Sequence, residues 1–308
     1  MVGPAAPSAD AGRLERWGVR ALQAVLAPLL PGLEVEVVAS AASTNSSLLE
    51  RARLAGSAGG QPGGRRRADA QPSLLVAERQ LAGRGRMGRS WQSAPDASLT
   101  FSLALALAPR DWSGLSLAVG VALAEALQRL AAPPAPRIAL KWPNDLWLID
   151  PGTGAAAGRK LGGVLVETLA AGDRRLAVIG VGLNIAPLSP ALAAGIDGRT
   201  GCLREIAPGI DAPAALACVA LPLAQALKTF EREGFAAFGA RFAALDALRD
   251  QSVATGDARA PSGIARGVDG QGGLRIETAA GLHTLHGGEV SVRPAGLALP
   301  ATAVPLAS

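Results

Sequence analysis

Amines are scarce in this chain: its 30 basic residues include three lysines, Lys141, Lys160 and Lys228, and the rest are arginines. Such a bias points to a GC-rich coding sequence, so a lysine that persists marks a place where an amine is needed. Two of the three lie in compact polar motifs. Lys141-Trp142-Pro143-Asn144-Asp145-Leu146 brings a lysine, an amide and a carboxylate to a strand end. Pro-Asn-Asp is also an ordinary tight turn, whose polar side chains bond their own backbone. In the functional reading Lys141 faces an anion, and Asp145 holds a metal ion or accepts a proton. Arg159-Lys160-Leu161-Gly162-Gly163-Val164-Leu165-Val166-Glu167 sets Lys160 just before an apolar strand. Gly83-Arg84-Gly85-Arg86-Met87-Gly88-Arg89, followed by Trp91, combines glycines that let backbone approach a ligand with guanidinium forks that match phosphate or carboxylate oxygens. Gly180-Val181-Gly182-Leu183-Asn184-Ile185 places glycines inside an apolar strand, a sign of close approach by backbone or ligand, with Asn184 a candidate polar ligand at its end.

The glycine–arginine loop literally contains G-x-G-x-x-G after a strand. A dinucleotide fold needs a helix to start at those glycines. Here Ser90-Trp91-Gln92-Ser93-Ala94-Pro95 follows and then another strand, so that reading fails, and no P-loop motif is present. Two cysteines, Cys202 and Cys218, with no Cys or His cluster, argue against a disulfide scaffold or a zinc site and suit a reducing cytoplasm. The net charge of +5 over 308 residues is too modest to indicate nucleic acid, and Arg65-Arg66-Arg67 reads as a solvated loop.

These motifs need a scaffold, and a chain that is 49% hydrophobic can build one. No uninterrupted apolar run reaches about 18 residues, so no membrane span is expected, and Glu34 and Glu36 after the apolar stretch 21–33 argue against a cleaved signal. Residues 1–12 read as disordered and 13–30 as one amphipathic helix. Ser43-Thr44-Asn45-Ser46-Ser47 ahead of Leu48, Leu49 and Leu54 signals a helix N-terminus. Residues 56–73 read as a mobile insertion. The spacing predicts strands at 74–78, 98–107, 138–142, 145–149, 161–169 and 175–185, the last two joined by an Ala-Gly-Asp turn. Helices are expected near 115–130, 212–233 and 235–248. After residue 249 short strands with turns at Asp269-Gly270, Ala280-Gly281 and Gly287-Gly288 suggest a small β-barrel. The chain thus divides into an N-terminal segment (1–39), an α+β catalytic domain with a mixed or antiparallel sheet (40–248), the barrel (249–296) and a tail (297–308).

Taken in order, Ser43-Thr44-Asn45, Gln80 ahead of the Gly-Arg-Gly-Arg-x-Gly loop, Lys-Trp-Pro-Asn-Asp, Arg-Lys-Leu-Gly-Gly-Val-Leu-Val-Glu and Gly-Val-Gly-Leu-Asn-Ile resemble the biotin–protein ligases. Gly267-Val268-Asp269-Gly270 and His286-Gly287-Gly288-Glu289-Val290-Ser291 look like that family's small barrel. The likeness runs from about residue 40 to 294. Too few residues precede the first motif for a winged helix, so the resemblance is to the monofunctional type, which does not bind DNA. Met87 stands where many members carry a further arginine, and the insertions at 56–73 and 151–158 are atypical.

The resemblance implies the catalytic fold shared by class II aminoacyl-tRNA synthetases and biotin–lipoate ligases, and a ligase that converts biotin and ATP to biotinyl-5′-AMP with Mg²⁺. The biotin then passes to a lysine of a carboxyl carrier domain, as in acetyl-CoA carboxylase. It implies Lys160, Arg86 and Asp145 as catalytic residues. Ser43, Thr44, Asn45, Gln80, Arg84, Gly85, Trp91, Lys141, Asn144, Gly163, Gly180, Gly182 and Asn184 would bind biotin or adenylate with them. Asp145 is the candidate beside the metal or as base for the incoming lysine. The family is cytoplasmic and often dimerises. Lipoate or octanoate transfer uses the same fold, but the Arg-Arg-x-Ser-Gly-Gly-Gly segment of those enzymes is missing here. A nucleic-acid-binding regulator is a third reading, carried only by charge.

Overall fold

The computed structural model describes residues 9–58, 71–132, 134–171, 174–194, 196, 198–287 and 290–295. Residues 1–8, Arg65-Arg66-Arg67, the Gly172-Asp173 turn, Gly288-Glu289 and the tail lie outside the described residues. Gly18 takes a left-handed φ of 58° and divides the single helix expected over 13–30 into α1 (Ala9–Arg16) and α2 (Val19–Leu26). Strand β1 (Glu34–Ala41) shows little alternation in the sequence, because only Val37 along it is fully buried. Helix α3 (Thr44–Ala58) begins where expected, with Ser43 Oγ accepting the Ser46 N–H at 3.4 Å. Next come β2 (Ser73–Gln80), the short ribbon β3 (Gly83–Arg84) and β4 (Ser90–Trp91), β5 (Ser98–Leu107), α4 (Leu115–Gln128), β6 (Arg137–Lys141), β7 (Asp145–Ile149), β8 (Arg159–Ala171) and β9 (Arg174–Asn184). Helices α5 (Pro190–Ala193), α6 (Ala212–Glu233) and α7 (Gly239–Leu245) follow. The helix expected over 235–248 is a 3-10 turn at Gly234–Phe238 and then α7. It stops because Asp246 turns to extended backbone and the Ala247 N–H goes to the Leu140 carbonyl at 2.9 Å.

Seven strands form one mixed sheet in the order β1-β2-β5-β9-β8-β7-β6, parallel only between β1 and β2. The alternation read in β5 sorts its two faces. Leu99, Phe101, Leu103, Leu105 and Leu107 enter the main core with residues of α4, α6 and α7. Each fully buried Leu or Phe contributes roughly 1.5–3 kcal/mol. The run Ala212–Leu245 is long and apolar enough to cross a membrane by length and composition. Its Leu216, Val219, Leu223, Leu227 and Phe230 are instead buried in this core. The opposite face carries α3 and the polar residues. There one register row crosses five strands: Thr100, Gly182, Gly163, Asp145 and Lys141.

The remaining strands, β10 (Ser252–Thr255), β11 (Ser262–Val268), β12 (Leu274–Thr278), β13 (Gly281–Leu285) and β14 (Val292–Pro294), make a small antiparallel barrel-like sheet in the order β13-β12-β11-β10-β14. It is tied to the large sheet where the Trp142 indole N–H donates to the Gly272 carbonyl at 2.9 Å.

Candidate functional site

The α3 face of the large sheet holds a cleft of about 380 Å³, within the usual size of a small-molecule site. Its lining includes every candidate named from the sequence: Ser43, Thr44, Asn45, Gln80, Arg84, Gly85, Arg86, Trp91, Lys141, Asn144, Asp145, Lys160, Gly163, Gly180, Gly182 and Asn184. The motifs, spread over some 140 residues of chain, therefore converge through sheet register and the start of one helix.

Gly180 and Gly182 clear the floor. A Cβ on Gly180 would lie 2.3 Å from Asn45 Oδ1, and one on Gly182 would lie 2.4 Å from the Trp91 ring. The close approach implied by these glycines is thus made by the protein's own side chains, which in turn face the cleft. Buried at one end are Ser43, Thr44 and Asn45. Gln80 Oε1 accepts the Thr44 N–H at 2.8 Å, and Ser102 Oγ lies 2.6 Å from both Thr44 Oγ1 and Asn45 Oδ1. The Asn45 amide donates to the Leu165 carbonyl at 3.2 Å and to Glu167 at 2.9 Å. Apart from Glu167, whose charge Arg84 pairs at 3.1 Å, this end is a lattice of neutral groups.

The other end is charged. Pairing between β7 and β8 shifts by one residue after Leu146, so that Trp147 faces Lys160 and Leu161 is extra. Because strand side chains alternate, this bulge turns Lys160 onto the cleft face instead of toward the core beside Leu148. Lys160 Nζ reaches one Asp145 oxygen at 2.7 Å and Lys141 Nζ reaches the other at 3.3 Å. Burial pushes the Asp145 carboxyl up, but the two ammonium groups outweigh it and hold it at about 2. Burial lowers the Lys141 pKa, against the pull of Asp145. Burial likewise lowers that of Arg86. Arg86 donates to Asn144 Oδ1 at 3.2 Å and to the Gly287 carbonyl of the small sheet. Asn144 in turn donates to the Val164 carbonyl at 2.8 Å.

Three candidates sit in the cleft with their polar groups engaged by protein. Asn184 Nδ2 donates to the carbonyls of Lys160 and Gly201 at 3.1 and 3.0 Å, so it anchors the strand that carries Lys160. Arg84 pairs with Glu167 at 3.1 Å and donates to Ser46 Oγ at 3.3 Å. Asp145 meets an ammonium group at each oxygen, which speaks against a metal ion there. Among the described residues no cluster of three His, Cys, Asp or Glu could hold a metal. Sequence reasoning missed Thr200 and, from the small sheet, Arg293, and it named Arg89 and Ser291 only within their motifs; all four line the cleft. It also missed Ser102 and Glu167. The alternation of Ser98, Thr100 and Ser102 along β5 was the available sign of a polar row facing α3.

With this geometry in view, the likenesses are informative. Residues 65–184 match the biotin/lipoate A/B protein ligase family, and residues 251–293 match the biotin protein ligase C terminal domain. The chain is 38% identical over 225 residues to the bifunctional ligase/repressor BirA of Salmonella typhimurium, covering 71% of this chain and 66% of that one, just short of two thirds. It is 31% identical over 224 residues to the biotin–[acetyl-CoA-carboxylase] ligase of Paracoccus denitrificans, covering 70% of this chain and 88% of that one. Among solved structures, a biotin protein ligase from Aquifex aeolicus in complex with biotin and ATP superposes with a TM-score of 0.63 at 25% identity, over 85% of this chain and 99% of that one.

Proposed function

The chain belongs to the biotin–protein ligase branch of the biotin/lipoate ligase family, and we propose that it biotinylates a carrier-protein lysine in two ATP-dependent steps. The observation that carries this reading is one cleft with a neutral hydrogen-bonding end and a cationic end. Biotin has those two ends: a ring urea with N–H donors and a C=O acceptor, and a carboxylate. Burying the urea unpaired would cost several kcal/mol, so Thr44 and Gln80 reject acids that lack it.

In the first step a biotin carboxylate oxygen attacks the α-phosphorus of ATP, the new O–P bond forms and the Pα–O bond to pyrophosphate breaks. Like charges meet in that approach. At an effective dielectric near 20 a charge pair about 4 Å apart is worth roughly 4 kcal/mol before desolvation, enough to change the rate by orders of magnitude. Lys160, the more exposed of the two lysines, bridges the carboxylate and the α-phosphate. Lys141 and Arg86 add positive potential, and Arg293 brings a cation from the small sheet. Magnesium arrives with ATP, bound by its phosphates, since Mg²⁺ favours substrate oxygens over a protein cage. A carboxylate held at about 2 is a poor proton acceptor at neutral pH. We therefore give Asp145 the role of orienting the two lysines.

In the second step the carrier lysine amine attacks the biotinyl carbon and AMP leaves. The arginine loop, latched by Arg86 to Asn144 and Gly287, keeps water from the mixed anhydride meanwhile. The partner is a carboxyl carrier domain of the acetyl-CoA carboxylase type, and the reaction is cytoplasmic, where its ATP is supplied. Incubation with biotin, Mg-ATP and radiolabelled pyrophosphate tests the first step: biotin-dependent exchange of label into ATP supports it, and exchange that ignores biotin contradicts it.

A further inference from the structure

Hydrogen-bond geometry around Asn45 leaves little freedom in where the protons lie. The amide atom beside the Leu165 carbonyl (3.2 Å) and Glu167 Oε2 (2.9 Å) faces two acceptors, so it must be the NH₂ group. Asn45 Oδ1 is then fixed against Ser102 Oγ at 2.6 Å. An amide oxygen cannot donate, so the single Ser102 hydroxyl proton lies in that contact. The 2.6 Å contact between Ser102 Oγ and Thr44 Oγ1 also needs a proton, and only the Thr44 hydroxyl is left to supply it. Thr44 Oγ1, whose other close side-chain partner is the acceptor Gln80 Oε1 at 3.2 Å, spends its one proton on the protein and meets the cleft with lone pairs alone. Gln80 is fixed from the other side: its Oε1 takes the Thr44 backbone N–H at 2.8 Å, which turns its amide N–H groups outward as donors.

We propose that Glu167, Asn45 and Ser102 form a relay that locks Thr44 as a hydrogen-bond acceptor toward the ligand, making Ser102 and Glu167 specificity-determining positioning residues. Ser102 is fully buried beneath Thr44 and Asn45 and does not line the cleft. Glu167 acts through Asn45 and is itself held by Arg84 at 3.1 Å. The locked acceptor beside the Gln80 donor reads an N–H next to a C=O, the pattern of a cyclic urea. It repels a ligand that offers an oxygen where the urea has N–H. The relay rests on the biotin reading above.

The test compares biotin with its ring carbamate, in which one urea N–H is replaced by oxygen, using pyrophosphate release as the readout. The wild type should prefer biotin about 100-fold or more in kcat/KM, as sites built around a substrate N–H do. Ser102→Ala removes the nearer partner at 2.6 Å and leaves the Thr44 hydroxyl held only by Gln80 Oε1 at 3.2 Å, so that it can turn and donate to the ligand. The preference should then fall at least about tenfold, the size of one lost charge-free hydrogen bond or more, through a raised KM for biotin. The KM for ATP and the saturated kcat should stay within about threefold. Glu167→Gln keeps an acceptor for Asn45 and should retain the preference, whereas Glu167→Ala should lose it. A ratio unchanged in both Ser102→Ala and Glu167→Ala overturns the relay, as does equal loss on both ligands, which marks a merely structural role. A wild-type protein that releases no pyrophosphate with biotin overturns the underlying reading and the relay with it.

Discussion

At the Thr44–Gln80 end of the cleft the lining side chains Ser43, Thr44, Asn45 and Gln80 are neutral, all but the half-buried Gln80 are buried, and they are held by one another, by Ser102 and by Glu167. At the Asp145–Lys160 end they are charged, and Lys160 keeps 35% of its side chain exposed. The two ends share strands: Gly180 underlies Asn45, and Gly182, two residues on, is paired with Gly163 and so joins the row that carries Asp145 and Lys141. One stretch of sheet thus supports two kinds of recognition. Neutral hydrogen bonds in a dry environment select a ligand, because a wrong partner leaves a buried group unpaired. Clustered cations stabilise charge that develops during reaction, and that contribution weakens with ionic strength where solvent enters.

The sharpest way to break this contrast is at Lys160. Lys160→Ala should lower adenylate formation by about 1,000-fold or more, in line with the loss of a preorganised electrostatic contact. Biotin binding, read by calorimetry without ATP, should weaken only several-fold. Asp145→Asn should follow, with about a 100-fold loss in adenylate formation as the two ammonium groups lose their shared anchor. The same variant tests the carboxyl's low pKa. Its stabilisation is present above the ordinary carboxylate value of 3.8 and is lost as pH falls through about 2. The wild type should therefore lose on the order of 2 kcal/mol between about pH 4 and 2. In acid melts Asp145→Asn should not show that part of the loss.

At the neutral end, Thr44→Val should raise the KM for biotin about 10- to 100-fold with little change in the KM for ATP. An equal rise in both would erase the distinction between the ends. Arg86→Gly should speed loss of the adenylate by about tenfold, read by rapid quench, since its bonds to Asn144 and Gly287 latch the loop. The smallest effect sharpens the comparison without mutation. Raising salt from about 0.05 to 0.5 M should weaken ATP binding several-fold and leave biotin binding within about twofold.

Much of the site was legible because its residues are chemically distinctive. In an arginine-rich chain Lys141 and Lys160 stand out, and both converge on Asp145. The Gly-Val-Gly strand correctly signalled close approach, although what approaches is Asn45 and Trp91. Other features leave little trace along the chain. The bulge that turns Lys160 into the cleft is a property of pairing between β7 and β8. Arg293 joins the site only through the docking of the small sheet, and one arginine among many carries no mark of it. Ser102 is one hydroxyl in a run of alternating small residues, and its meaning depends on Asn45, 57 positions away. Helix and strand boundaries failed where a single backbone angle decides, as at Gly18, or where a strand is mostly unburied, as along β1.

Incubating the protein with Mg-ATP, a carboxyl carrier domain, and either biotin or lipoate, then weighing the intact carrier, decides which acid is transferred. The expected result is a mass gain of one biotinyl group on a single carrier lysine, with biotin and not lipoate, and only when ATP is present. A lipoyl adduct, or an unmodified carrier in the presence of biotin and ATP, would contradict it.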